Sequence, residues 1–295
     1  MNLFSLIKIE LIKIRRTHIF CLMIIPCLLL WLPSVLNADM NFNNPSGLSP
    51  ENSFFIQGFM GFAWILFPAL LVVITVMLNQ IERTNKGLQK MLSLPVSIPM
   101  LCLAKFFVLL LLAGGLILIM LALYYPAAAL ASAKMDYDFL LSGSLVFKES
   151  LLIYLCSVPM AAFYWLIAGC IRTPVFSIGI GLASIVPSVL VMNTKVWFAY
   201  PMCYPFYTIA KLMGSLADGK NFISIDLIPW LPVAAGFTLI CILLSCLMFG
   251  NSGSECFQRC GILFIHSLLL YFFYSEICFF RYLPTIFAKS VMSRI

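Results

Sequence analysis

QIERTNKGLQKMLSLPVSIPMLCLAK, residues Gln80 to Lys105, is the one clearly polar segment set between two long apolar runs. The runs that flank it, roughly Phe54–Asn79 and Ile98–Tyr125, are each long enough to cross a hydrocarbon core of about 30 Å. In lipid the backbone must satisfy its own hydrogen bonds, so both read as helices. Outward from this pair, four more runs of the same kind follow: Thr17–Leu36, Ser150–Ile171, Pro174–Met192 and Pro229–Phe249. A seventh apolar run, about Gly261–Phe280, comes after the polar break GNSGSECFQRC. The chain is 63% hydrophobic and only 10% charged, with a mean hydropathy of +1.06. A soluble domain carries about 25% charge, so that class is excluded. The expected fold class is an all-α integral membrane protein built on a six-span helical bundle.

Orientation follows from Lys and Arg near the span ends. A cytoplasmic N-terminus puts Lys8, Lys13, Arg15, Arg16, Arg83, Lys86, Lys90, Lys105, Arg172 and Arg259 inside, and leaves Lys134, Lys148, Lys195, Lys211 and Lys220 outside, ten against five. A seventh span breaks that bias, because it would export Arg281, Lys289 and Arg294. The expected location is therefore the plasma membrane, multi-pass, with a cytoplasmic N-terminus. The net charge of +7 belongs to the rim that meets anionic headgroups. No soluble basic face exists to bind nucleic acid.

The N-terminus is not expected to be a cleaved signal peptide, because its apolar run is too long and no small-x-small site follows. Leu3, Phe4, Ile7, Leu11 and Ile14 share one helical face, opposite Ser5, Lys8, Arg15 and Arg16. That pattern predicts an interfacial helix over residues 1–16. Eleven cysteines lie scattered in apolar runs with no zinc-type spacing. The two histidines, His18 and His266, cannot form an HExxH pair, and no GxSxG, P-loop or dinucleotide fingerprint occurs. The six spans are read as lacking ionisable residues that face the bundle interior, which argues against intramembrane catalysis and ion-coupled transport. No metal site, bound cofactor or enzymatic activity is expected of this chain.

Within residues 80–97, Thr84, Leu88, Met91 and Leu92 share one helical face, and Glu82, Arg83, Lys86 and Lys90 supply the polar side. Glu82 and Lys86 form an i,i+4 pair. Gly87 weakens the helix, and Pro95 ends it. The expectation is a short amphipathic helix lying along the membrane surface on the cytoplasmic side.

ELIKIRRTHIF near the N-terminus, Glu82 with Gly87 five residues on, the turn LSLPVS at Leu92–Ser97 and the following Lys105 together resemble ABC-2-type permeases. Within that group the chain is most similar to the permease subunits of lantibiotic immunity and peptide-antibiotic resistance exporters. The resemblance covers about residues 1–249 and leaves 250–295 as an atypical tail. It implies that the segment after the second span is a coupling helix docked on a separate ABC ATPase subunit. Glu82, Arg83, Lys86, Gly87, Lys90 and Pro95 would carry that contact, with Lys13, Arg15 and Arg16 of the interfacial helix beside it. It also implies a second permease copy or a paralogous permease, ATP-Mg used by the ATPase, and export of a membrane-active peptide. The alternatives are an ABC-2 exporter of another amphiphile, such as a drug or lipid, and a membrane scaffold or sensor that moves nothing.

Two outer loops complete the reading. Thr194–Pro229 holds Trp197, Phe198, Tyr200, Tyr204, Phe206 and Tyr207. These form either an aromatic belt at the interface or a mouth in which Trp197, Tyr200, Tyr204 and Tyr207 face the substrate. Ala127–Lys148, with Asp136 and Asp138, is read as a loop that could face a cationic peptide.

Overall fold

A computed structural model describes residues 3–15, 17–43, 47–83, 97–171, 173–195, 197–219 and 227–250. Among them the chain is helical, with no strand. An N-terminal helix α1 (Leu3–Ile14) precedes α2 (Ile19–Leu36) and a 3-10 turn at Ala38–Asn43. Next come α3 (Pro50–Gly61), a π turn at Phe62–Leu66 and α4 (Phe67–Arg83), which run on as one rod. The long helices α5 (Ile98–Met135) and α6 (Gly143–Cys170) follow. A broken rod is made of α7 (Pro174–Ala183) and α8 (Ser188–Val191). Short 3-10 turns at Trp197–Ala199 and Pro201–Cys203 then lead into α9 (Tyr204–Ala217), and α10 (Leu227–Gly250) is the last described element.

Among the described residues, six stretches are long and apolar enough to cross a membrane: Ile19–Leu36, Pro50–Ile81, Pro99–Met135, Gly143–Cys170, Pro174–Val191 and Trp230–Met248; the seventh apolar run, about 261–280, lies outside them. The six match the expected spans, and the protein is a multi-pass membrane protein. Pro50, Pro99 and Pro174 sit in the first turns of their helices, where a missing N–H leaves nothing unsatisfied. The bundle centres on α6, which is buried on every side from Met160 to Ala168. It packs most extensively on α10 and also on α5, α9 and α4. Lipid tails are as apolar as leucine, so it is close packing that holds such helices together.

Three expectations are corrected here. Residues 127–135 are not loop: α5 continues through Pro126 to Met135, 38 residues in all, about 57 Å at 1.5 Å per residue. Ala127, Ala128 and Ala131 are good helix formers, and they are buried. Asp136 ends the helix in the left-handed conformation, at φ 51°. Asp138 accepts the Leu140 N–H at 3.0 Å. The two acids thus shape the turn.

The chain then folds back along α5. Tyr124 Oη donates to the Phe139 carbonyl at 3.1 Å and accepts the Leu141 N–H at 2.9 Å. Tyr137 Oη donates to Glu51 Oε2 at 2.5 Å, which raises the Tyr137 pKa. Trp31, Phe42, Phe54, Phe139 and Tyr124 close this end as one aromatic cluster.

Thr194–Pro229 is likewise more structured than a loop, since it contains α9. Finally, the spans do carry inward ionisable residues. Lys105 and Glu149 are 4% and 3% exposed, each within the first two turns of its helix.

Among the described glycines the closest approach is at Gly58. A Cβ there would lie 2.4 Å from Trp31 Cη2, and the indole is hemmed in by Phe54, Phe59 and Tyr124. Gly58→Ala is expected to cost about 1–3 kcal/mol through overpacking, read as a lower Tm in detergent. Gly179→Ala, whose Cβ would meet nothing within 4 Å, should stay within about 1 kcal/mol of the parent.

Candidate functional site

α1 carries Leu6, Glu10 and Ile14 at i, i+4 and i+8, one stripe of a helix, and all three are buried. Leu6 packs on Leu101 and Ala104 of α5, with Leu3, Ile7 and Met100 around them. Glu10 sits in the middle of this apolar face and is only 5% exposed. Its Oε2 accepts from Lys105 Nζ at 3.3 Å, and its Oε1 accepts from Lys13 Nζ at 2.7 Å. A carboxylate is costly to bury unless paired, and here two ammonium groups share it.

The apolar face expected of α1 therefore splits. Leu3, Ile7 and Ile14 turn towards the bundle, whereas Phe4, Leu11 and Ile12 stay exposed beside Lys8 and Arg15. The helix ends where Thr17 Oγ1 donates to the Ile14 carbonyl at 2.7 Å, and α2 starts two residues later. Of the three interfacial basic residues, Lys13 is paired to Glu10 and Arg15 is exposed, while Arg16 lies outside the described residues.

Lys105 lies two turns into α5, so the joint sits at the end of the bundle where α4 ends and α5 begins. The backbones of Glu82 and Arg83 form the last turn of α4. Their side chains, and Lys86, Gly87, Lys90 and Pro95 as a whole, lie outside the described residues. Sequence reasoning singled out Lys105 but missed Glu10. The signal was present: Glu10 is the first acid of the chain, and Leu6 and Ile14 stand one turn on either side of it.

At the opposite end the aromatic residues divide. Tyr200 and Tyr204 are buried, and their phenols donate to the Ser184 and Phe198 carbonyls. Burial pushes the Tyr204 pKa up. Trp197 stacks on Tyr207 with centroids 3.8 Å apart and planes 15° apart. Those two rings line a cleft of about 440 Å³ beside Lys195 and Lys211. Of the four residues expected to face substrate, two are packing residues and two line an open surface. Among the described residues no cluster of His, Cys, Asp or Glu is arranged to hold a metal.

Removing one partner of a buried ion pair costs about 3 kcal/mol or more. Glu10→Ala is therefore expected to loosen α1 from the bundle. Hydrogen exchange across residues 3–14 should rise at least tenfold, with exchange in α6 unchanged. Equal protection of α1 in the variant would show that the apolar contacts alone hold it.

Among known families, residues 6–188 match the ABC-2 family transporter proteins. No curated protein and no solved structure matches the chain. The matched stretch includes Glu10, Lys105, the first four spans and most of the fifth. A pre-membrane helix pinned to the third span of an all-helical bundle, within a match over more than half the chain, assigns the protein: it belongs to the ABC-2 transporter family and is a membrane permease subunit.

Proposed function

We propose that this permease subunit works with a separate ABC ATPase to export a membrane-active peptide such as a lantibiotic, from a plasma membrane in which its N-terminus is cytoplasmic. The observation that carries the ATPase reading is the joint between α1 and α5. Glu10 ties α1 to Lys105, close to where the charged 80–97 segment leaves α4 and joins α5. A force applied to that segment would reach α1 and the third span together, because the two are packed on each other and tied by this ion pair.

In this reading Glu82, Arg83, Lys86, Gly87, Lys90 and Pro95 form the coupling segment, and Lys13, Arg15 and Arg16 edge it. ATP-Mg is bound and hydrolysed by the partner, and a second copy or a paralogous permease completes the substrate path. Closure of the ATPase pair would push on both coupling segments and tilt the bundles against each other. The exposed apolar and basic face of α1 (Phe4, Lys8, Leu11, Ile12 and Arg15) suits a helix lying at a headgroup surface. Peptide export is supported by the sequence resemblance alone.

Affinity purification of the tagged chain from gently solubilised membranes tests the partnership. A P-loop ATPase should co-purify with the parent and fall by about tenfold or more with Glu82→Lys, a change that turns a docking charge into a repulsive one. In cells, protection against the peptide should vanish when the ATPase can bind but not hydrolyse ATP. Protection that survives with the hydrolysis-dead partner would instead identify a scaffold or sensor.

A further inference from the structure

The open surface at the far end of the bundle has a chemistry that peptide export leaves unused. Between the end of α8 and the face of α9 lies the cleft of about 440 Å³, a size within the range of small-molecule sites. Met192, Lys195, Trp197, Tyr207 and Lys211 supply its main walls, and among the described residues no acid lines it. Lys211 Nζ stands 5.5 Å from the Tyr207 ring centroid, a cation–π contact that keeps the ammonium near the cleft. Tyr207 is in turn held by its stack on Trp197. Neither lysine makes an ion pair or a side-chain hydrogen bond with another described residue. Among the described residues, the cleft thus presents two positive charges without a carboxylate partner on an aromatic shelf.

Its lower edge is apolar. Val186 and Leu190 are 72% and 42% exposed on the rod that leads up to the cleft, and Val175 and Phe176 are 77% and 68% exposed further down. In a multi-pass membrane protein, that strip can carry acyl chains. Lysines and Trp or Tyr rings at the end of such a strip are placed at headgroup level. Basic pockets at that depth suit phosphate headgroups, for which Lys acts as a point charge.

We propose that the cleft between α8 and α9 binds the phosphate group of an anionic lipid, with Lys195 and Lys211 on the phosphate, Trp197 and Tyr207 beneath the headgroup, and the acyl chains along α7 and α8. This inference does not rest on ATP coupling or on peptide export. It also separates the cleft from the path of a cationic peptide, which the same two lysines would repel.

Native mass spectrometry of the full chain, released from detergent with phosphatidylglycerol or phosphatidylcholine, tests the site. One phosphatidylglycerol per chain should be retained in preference to phosphatidylcholine. Lys195→Gln with Lys211→Gln should weaken that retention about twenty-five-fold, roughly fivefold per lysine. Both side chains are exposed, so the fold should survive, and an unchanged Tm checks this. Lys148→Gln, an exposed lysine at the same end of the bundle, should retain the lipid as the parent does. Displacement by millimolar inorganic phosphate would place recognition in the phosphate alone, and failure to displace would show that the acyl chains contribute; either result supports the site. Equal retention of the two lipids, or a double lysine variant that still holds phosphatidylglycerol, overturns it.

Discussion

A carboxylate buried between two ammonium groups fixes how this protein meets whatever lies beneath its bundle. Without Glu10, α1 would be held only by its apolar contacts with α5, Leu6 on Leu101 and Ala104. With Glu10 bonded to Lys105 at 3.3 Å and to Lys13 at 2.7 Å, the rotation of α1 against α5 is set. The contact joins residues 95 positions apart. It is therefore the tertiary constraint that brings the N-terminus back to the base of the third span.

A buried ion pair is weak evidence for stability as such, since apolar residues of the same volume often do as well. Its value here is orientation. Leu6, Leu101 and Ala104 could slide past one another at little cost, but a charge-assisted hydrogen bond in an apolar setting cannot be moved by a turn without leaving a bare charge. The rest of the bundle uses a different device. In the body of the bundle the helices are held by close packing of small and aromatic side chains, as where Gly58 of α3 meets Trp31 of α2. The base is thus set by charge and the body by shape.

The six spans were legible because length and hydropathy alone decide what can cross a bilayer. Their ends were less so. The third span reads as ending at Tyr125, yet α5 continues past Pro126 because the alanines beyond are buried and the fold-back from Asp136 covers the last turns. Aromatic residues after the fifth span read as a belt, with a mouth as the alternative. Composition does not reveal that Tyr200 and Tyr204 turn inward to backbone carbonyls while Trp197 and Tyr207 stay at the surface. Glu10 was hidden for a related reason: a lone acid in a helix normally marks its wet face, and its partner lies far away in sequence. Lys105 was legible only through the family resemblance, and the structure supplies the physical reason for a cation at that position.

The central claim is that Glu10 and Lys105 act as a pair that locks α1 to the third span. A double-mutant cycle on the unfolding of the purified chain, using Glu10→Gln, Lys105→Met and the two together, measures it directly. The account predicts a coupling energy of about 1.5 kcal/mol or more, as expected for residues in one buried network. Effects that add to within about 0.5 kcal/mol would mean that the two side chains are stabilised independently, and that α1 is positioned by its apolar contacts alone.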